Sequence, residues 1–150
     1  MTRDLAMPCD GLDCEFLLAD WRWQVPEDHH PLLLGAFGDW ILGAPDGSLW
    51  NLSLLEGDYR QIASSSEEFG RLKDDIANLE SWFLADWFAL AQERGLVPNL
   101  EECLGWKVHP ILGAAISVEN LEIFPLRVYQ RLMGQLFRQV RLGSGADASV

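Results

Sequence analysis

Residues 38–69 read GDWILGAPDGSLWNLSLLEGDYRQIASSSEEF, and this stretch decides the fold class. The apolar run at residues 39–42 leads into residues 44–47, where Pro fixes φ and Gly supplies a positive φ for a turn. Residues 48–55 then alternate between the faces of a strand, with Trp50, Leu52 and Leu54 on one face and Asn51 and Ser53 on the other. A second Gly turn leads into residues 59–63. The pattern predicts an antiparallel β-meander over residues 32–63.

Helix signals follow the meander. Either Ser64 with Glu67 or Ser65 with Glu68 forms a capping box at the start of a helix. Apolar residues then recur at spacings of three and four and predict one buried face: Phe69, Leu72, Ile76, Leu79 and Phe83. A second helix is expected over residues 80–94, with Gly95 as the residue that ends it. Its buried face is expected to consist of Phe83, Trp87, Leu90 and Ala91.

The flanking segments carry weaker patterns. Residues 14–23 predict a short helix, and residues 111–118 and 121–124 are candidate strands within a region of turns. Pro125 opens a final helix to about residue 142, with an apolar stripe of Leu126, Tyr129, Met133, Leu136, Phe137 and Val140. These elements predict a single α+β domain in which an antiparallel β-meander packs against about three main helices.

Composition and charge limit the possible functions. The chain has 150 residues, of which 49% are hydrophobic and 23% charged, as expected for one folded domain. Its 23 acidic and 11 basic residues give a net charge of −12. Residues 1–100 hold 18 acidic and 6 basic residues, whereas residues 101–150 hold 5 of each. This balance disfavours direct binding to nucleic acid or an anionic membrane, and it favours a basic partner.

The chain shows no secretory signal and no apolar run long enough to span a membrane, so we expect a cytoplasmic protein. Three cysteines without a signal peptide are expected to be reduced thiols. Cys9 and Cys14 with His29 and His30 lack the usual spacing of a zinc site, and a solvated loop is the preferred interpretation. His109 is expected to be a loop or core histidine.

Patterns typical of catalysis are weak. We find no phosphate-binding glycine loop and no nucleophile elbow, and the paired carboxylates are expected to be solvated rather than catalytic. We therefore expect no catalytic residues, no cofactor and no metal. A small hydrolase stays open as an alternative, because a pocket with a perturbed carboxylate or histidine is visible only in a structure.

Two further groups of residues have alternative interpretations. Arg127, Arg131 and Arg138 share a stripe of the final helix, and we expect them to pair with acids of neighbouring elements rather than bind phosphate. Four of the seven tryptophans lie in strongly patterned elements and are expected in the core: Trp40, Trp50, Trp82 and Trp87. The other three lie in weakly patterned segments, where exposure is expected for some: Trp21, Trp23 and Trp106.

The stretch from residue 38 to residue 69 resembles the type VI secretion DNase-immunity family in its order of strand, Asp-Gly turn, strand, Gly turn and Ser-capped helix. The resemblance continues in LGWKVHPILGAAISVENLEIFPLRVYQRLMGQLFRQV, residues 104–140. The matching positions here are Lys107, Pro110 to Gly113, Asn120, Gly134-Gln135 and Arg138-Gln139. Ala114 departs from the pattern, since the family often has a second Gly there. The resemblance covers roughly residues 37–141.

The resemblance implies a small α+β protein that binds and neutralises a toxin, generally a nuclease, delivered by a type VI secretion system. It carries over no catalytic residue. The chain is also remotely similar to cell-wall-regulator-like immunity domains, and a regulatory scaffold that binds host proteins is the alternative function. We divide the chain into an acidic N-terminal segment, residues 1–36, an immunity-family domain, residues 37–142, and a disordered tail, residues 143–150.

The acidic N-terminal segment is the predicted contact surface for the toxin, because partner-specific surfaces often lie outside a shared scaffold. The acidic residues expected to contact a basic nuclease are Asp10, Asp13, Glu15, Asp20, Glu27 and Asp28, with Trp21 or Trp23 as an apolar anchor. The expected complex is a 1:1 heterodimer. The alternative is that these acids only keep the protein soluble.

Overall fold

The computed structural model describes residues 3–143 and has the predicted α+β architecture. Its five-stranded antiparallel sheet has the order β1 (Ala6–Pro8), β2 (His30–Gly35), β3 (Trp40–Gly43), β4 (Leu49–Leu52) and β5 (Tyr59–Ala63). A second sheet pairs β6 (Glu102–Trp106) with β7 (Leu121–Pro125). The helices are α1 (Cys14–Leu18), α2 (Ser66–Leu72), α3 (Ile76–Phe83), α4 (Ala85–Glu93) and α5 (Leu126–Arg138). A π-helical turn, Gln139–Gly143, follows α5, and the rest of the predicted tail lies outside the described residues.

The predicted meander forms strands β3, β4 and β5, which are neighbours in the sheet. Strands β1 and β2 extend this sheet; β2 overlaps the start of the predicted meander, although no separate strand was assigned before residue 39, and β1 was not predicted from the sequence. Pro31 lies inside β2, where it cannot donate a backbone hydrogen bond, and the β2–β3 register shifts between Pro31 and Leu33. The proline therefore interrupts the sequence pattern of a strand, and the bulge accommodates it in the sheet.

Asn51, predicted on the face opposite Leu52, is also buried, with its side chain donating to the Trp40 carbonyl at 3.0 Å.

The two helices predicted over residues 64–94 are three in the structure. Asp75 caps α3 by accepting a hydrogen bond from the Ala77 amide, so the chain turns where one continuous helix was predicted. Leu84, at a φ of 57°, separates α3 from α4. Ile76 is consequently 73% exposed instead of buried. The predicted cap at Ser65 is confirmed, since its hydroxyl accepts a hydrogen bond from the Glu68 amide at 3.1 Å.

The strand predicted over residues 111–118 is wrong. Residues Pro110–Leu112 and Val118–Asn120 form short 3₁₀ turns, and the side chain of Asn120 holds the loop between them by bonding to Val108 and Ala115. Strand β6 was missed because Gly105 interrupts its apolar pattern. Tyr129 packs so closely on Gly105 that a Cβ there would lie 2.5 Å from its ring, which explains the glycine.

The main core is organised around Gln130 of α5, which is fully buried. Its Oε1 accepts hydrogen bonds from Trp21 Nε1 at 3.1 Å and Trp40 Nε1 at 3.0 Å, and its Nε2 donates to the Gly38 carbonyl at 2.8 Å. The predicted stripe of α5 is buried at Leu126, Tyr129, Met133 and Phe137, whereas Leu136 and Val140 are half-buried. Gln130 therefore joins the N-terminal segment, the five-stranded sheet and α5.

The loop of residues 53–58 is held by buried polar groups. Asp39 Oδ1 accepts a hydrogen bond from the Leu54 amide at 2.7 Å. His109 accepts from the Ile111 amide at Nδ1, so its Nε2 carries the proton and donates to the Leu54 carbonyl at 2.8 Å. Burial lowers the pKa of His109 and raises the pKa of Asp39 to about 7.

Replacing Gln130 tests its role in the core. Gln130→Leu removes the acceptor of two buried indole N–H groups, and each unpaired group costs about 1–3 kcal/mol. We expect the free energy of unfolding, measured by urea denaturation, to fall by about 2–5 kcal/mol. Gln135→Leu, on an exposed position of the same helix, is the matched control and is expected to change it by less than about 0.5 kcal/mol. Equal losses in both variants would contradict this role.

Asp39→Asn tests the buried carboxyl group. The pKa of Asp39 is higher in the folded protein than in the unfolded chain, so the folded state binds more protons between about pH 4 and pH 7 and loses stability as pH rises through this range. Asn cannot ionise and removes this loss. We expect the stability of Asp39→Asn relative to wild type, from urea denaturation, to rise by more than about 1 kcal/mol between about pH 5 and pH 8. Parallel stability profiles would show that Asp39 does not titrate in this range.

Candidate functional site

The N-terminal acids predicted to bind a partner fall into three places. Glu15, Glu27 and Asp28 are exposed and lie close together, and we call these three residues the acidic surface. Arg22 joins them, since its guanidinium contacts Glu15 Oε2 at 2.7 Å and donates to the carbonyls of Pro26 at 2.6 Å and His29 at 3.1 Å. These bonds fix the turn at residues 26–29 beside α1.

The other three predicted acids lie elsewhere on the N-terminal segment. Asp10 and Asp13 are exposed near the start of α1, where Asp13 Oδ1 accepts a hydrogen bond from the Phe16 amide at 3.2 Å. Asp13 therefore has a structural role as a helix cap. Asp20 is half-buried and faces α5, with its carboxylate 3.4 Å from Gln135 Nε2.

Trp21 is a core residue and is not available as an exposed anchor in this conformation. Its side chain is fully buried and bonds to Gln130. Trp23 is half-buried, stacks on Trp21 with ring centroids 6.3 Å apart, and donates to the Gly134 carbonyl at 3.2 Å. Trp23 is thus the predicted anchor that keeps part of its ring accessible. Trp106, the third tryptophan for which the sequence left exposure open, is buried, with 3% of its surface exposed.

An apolar loop between β6 and β7 was missed as a candidate contact region. We use this name for the exposed side chains of Val108, Ile111, Leu112 and Ile116, whose exposed fractions run from 44% to 61%. The loop is held in place by His109 and by the side chain of Asn120. The apolar residues of this loop form a nearly continuous run, which predicts a strand. The Pro-Ile-Leu-Gly turn within the run indicates a loop instead.

The loop of residues 53–58 lies between the acidic surface and the apolar loop. On one side Gln24 Nε2 donates to the Gly57 carbonyl at 3.1 Å, and on the other His109 bonds to the Leu54 carbonyl. Glu56 and Asp58 of this loop add two carboxylates, both paired with Arg60. The three segments together form the candidate functional site, with acids at one side and apolar side chains at the other.

The arginines of α5 do not pair as predicted. Arg127, Arg131 and Arg138 are exposed, and none forms a salt bridge within residues 3–142, whose side chains the structure describes. Phe16, Val128 and Leu132 line a depression with Arg127 and Arg131, and Arg127 also lines a groove with carboxylates of Asp13, Glu101 and Glu102. Arg127 therefore lies near acidic residues but forms no ion pair with them in this conformation.

The chemistry of the titratable groups is that of a folded core. Cys9, Cys14 and Cys103 are free thiols, and burial raises the pKa of Cys103 to about 12. His29 Nδ1 lies 2.7 Å from the Tyr59 hydroxyl, within an aromatic cluster that includes Trp50. Among the described residues, no group of three or more His, Cys, Asp or Glu side chains is arranged to hold a metal ion. In the same part of the chain, no helix combines the length and apolar character needed to cross a membrane.

Comparisons with known proteins identify a similar structure and a matching family. No curated protein matches the chain. The crystal structure of Atu4351 from Agrobacterium tumefaciens is similar, with a TM-score of 0.66 and 17% sequence identity. The alignment covers 87% of this chain and 66% of Atu4351, so the chain spans just under two thirds of that protein. At this identity, the similarity shows a shared fold.

The family match is to a segment that includes the apolar loop of the candidate site but neither the acidic surface nor the loop of residues 53–58. Residues 63–137, half of the chain, match the family described as T6SS immunity protein Tdi1, C-terminal. The matched segment runs from the end of β5 through α2, α3 and α4 to β6, the apolar loop, β7 and α5. The chain therefore belongs to the family described as T6SS immunity protein Tdi1, C-terminal.

Proposed function

We propose that this chain is a type VI secretion immunity protein that neutralises a DNase toxin by covering the basic surface with which the toxin binds DNA. The observation that carries the proposal is the net charge of −12 on a chain of this family. A nuclease must present Lys and Arg to the phosphates of its substrate. A protein with a strongly acidic surface competes with DNA for such a groove, and its charge also accelerates association.

The placement of the charge supports a role for the N-terminal segment. The excess of acidic residues lies within residues 1–100, with 18 acidic and 6 basic residues. Glu15, Glu27 and Asp28 are exposed around Arg22. Arg22 fixes the position of this surface, although its positive charge balances one of the three negative charges. A fixed acidic surface loses less conformational entropy on binding than a mobile one, which favours it as a docking surface. Asp10 and Asp13 add charge near the start of α1.

The apolar loop would supply the centre of the contact. Charge alone steers a partner, whereas tight binding depends on a few buried apolar or aromatic anchors. Leu112, 61% exposed, is the most accessible side chain of the apolar loop, and Trp23 exposes part of its ring. The loop of residues 53–58 connects this centre to the acidic surface. We therefore infer one toxin-binding surface made of acids beside an apolar contact, which forms a 1:1 complex in the cytoplasm.

In this function, residues 1–36 are the acidic, partner-specific segment and residues 37–142 are the shared immunity domain. The protein inhibits its partner by binding and without catalysis. A regulatory scaffold of the cell-wall-regulator-like kind would need no toxin, so a protection experiment separates the two functions.

Protection tests the function directly. The protein encoded by the adjacent gene is expressed in bacteria with and without this chain, while growth and chromosomal DNA integrity are followed. We expect the neighbour alone to stop growth and degrade DNA, and co-expression to restore both, because the bound toxin cannot reach its substrate. Restored growth without earlier DNA damage would overturn the DNase assignment but keep the immunity function. A harmless neighbour would favour the scaffold.

Charge reversal tests the acidic surface. Glu27→Lys with Asp28→Lys changes two exposed side chains in a turn, and we expect affinity for the same toxin, measured by calorimetry, to fall at least about tenfold. Glu67→Lys with Asp74→Lys is the matched control, because it makes the same charge change at exposed positions of the α2 region. We expect the control to retain most of the affinity. Equal losses in both double variants would mean that only the total charge matters, and the acidic surface would not be the contact.

A further inference from the structure

A second exposed surface lies between α1 and α5 and shares α1 with the acidic surface. Phe16 of α1 is 60% exposed and lies beside Val128 and Leu132 of α5, which are 44% and 50% exposed. Val128 and Leu132 are four residues apart on a helix and therefore share a face. Three large apolar side chains thus form one patch, which we call the α1–α5 face. Such a patch on a water-soluble surface is typical of a protein contact.

The charges around this face are arranged in two opposite groups. Arg127 and Arg131 border the patch on α5 and form no salt bridge with any described residue. Asp13, Glu101 and Glu102 lie at the other end, around a groove at the start of α5, and Arg127 lines both this groove and the depression that contains Arg131. The face therefore has an acidic end, a centre made of Arg127 and the apolar side chains, and a basic end at Arg131.

The α1–α5 face also has a projecting side chain, Phe16, between two depressions. Phe16 lines both a groove of about 700 Å³, on the side of Asp13 and Glu101, and a smaller depression of about 280 Å³, on the side of Arg131 and Leu132. An exposed aromatic ring between two hollows can enter a hollow of a surface with the same shape. A two-fold contact requires such a self-complementary surface, because each copy contributes the same patch.

We propose that the α1–α5 face is the contact of a two-fold symmetric dimer of this chain. Rotation by 180° places the acidic end of one copy, Asp13, Glu101 and Glu102, against Arg131 of the other. The apolar centres meet in the middle, where Phe16 of each copy packs on its partner.

The charge pattern favours a second copy over the toxin at this face. A basic nuclease would be attracted by the acidic end of the face but repelled by Arg127 and Arg131, so it could not satisfy the charges of the whole face. A second copy offers acids to these arginines. The net charge of −12 on each copy opposes association at long range, but screening at physiological ionic strength restricts this repulsion to about 8 Å. We therefore expect a weak dimer with a micromolar dissociation constant. The proposal does not rest on the identity of the toxin, since it needs only this chain.

Sedimentation equilibrium of the purified full chain tests the dimer across a range of concentrations that extends well above micromolar. Wild type is expected to change from monomer to dimer. Leu132→Lys is expected to weaken the dimer at least about tenfold, because it places a charge in the apolar centre. Leu90→Lys is the control, since Leu90 is 41% exposed on α4, and we expect it to dimerise as wild type does.

A second pair of variants separates local from overall charge. Arg131→Glu and Lys73→Glu each change the net charge from −12 to −14, but only Arg131 lies on the α1–α5 face. We expect Arg131→Glu to dissociate the dimer and Lys73→Glu to leave it nearly unchanged. A wild type that stays monomeric at every concentration would overturn the proposal. It would also be overturned by a dimer that Leu132→Lys and Arg131→Glu do not weaken, or one that both charge variants weaken equally.

Discussion

The hydrogen bonds of Gln130 are the interaction on which the rest of this structure depends. One fully buried amide accepts from the indoles of Trp21 and Trp40 and donates to the Gly38 carbonyl. Trp21 belongs to the N-terminal segment, whereas Gly38 and Trp40 lie just before and at the start of β3, and removal of Gln130 would leave these buried groups without this partner. The N-terminal segment is thereby part of the core, and the acids that it carries are presented from a fixed support.

A second set of buried polar groups positions the proposed toxin-binding surface. Asp39 and His109 hold the amide and the carbonyl of Leu54 from opposite sides, and the loop of residues 53–58 in turn contacts Gln24. The acidic surface and the apolar loop are far apart in sequence, yet they lie on either side of this loop. Ionisation of the buried Asp39 lowers the stability of the fold. In either protonation state, however, a carboxyl oxygen of Asp39 accepts a hydrogen bond from a backbone amide that burial would otherwise leave unpaired.

The two exposed surfaces differ in the partners that their charges favour. The acidic surface, Glu15, Glu27 and Asp28, is suited to a basic protein, whereas the α1–α5 face has both signs and is suited to a copy of itself. Both surfaces include α1, but adjacent residues of a helix point about 100° apart. Glu15 accordingly faces Arg22 and the turn at residues 26–29, while Phe16 faces α5. One short helix thus contributes to both surfaces.

The sequence by itself determined the features that depend on neighbouring residues. The Asp-Gly turn, the alternation of β4, the cap at Ser65 and the net charge are all local or additive properties, and the α+β class follows from them. Tertiary structure decided the burial of Trp21, the addition of β1 and β2 to the sheet, and the exposure of the apolar loop. Each of these depends on a contact between segments distant in sequence, such as Gln130 with Trp21 or His109 with Leu54. The periodicity of apolar residues shows which face of a helix or strand is apolar. Whether that face is buried depends on which other element packs against it.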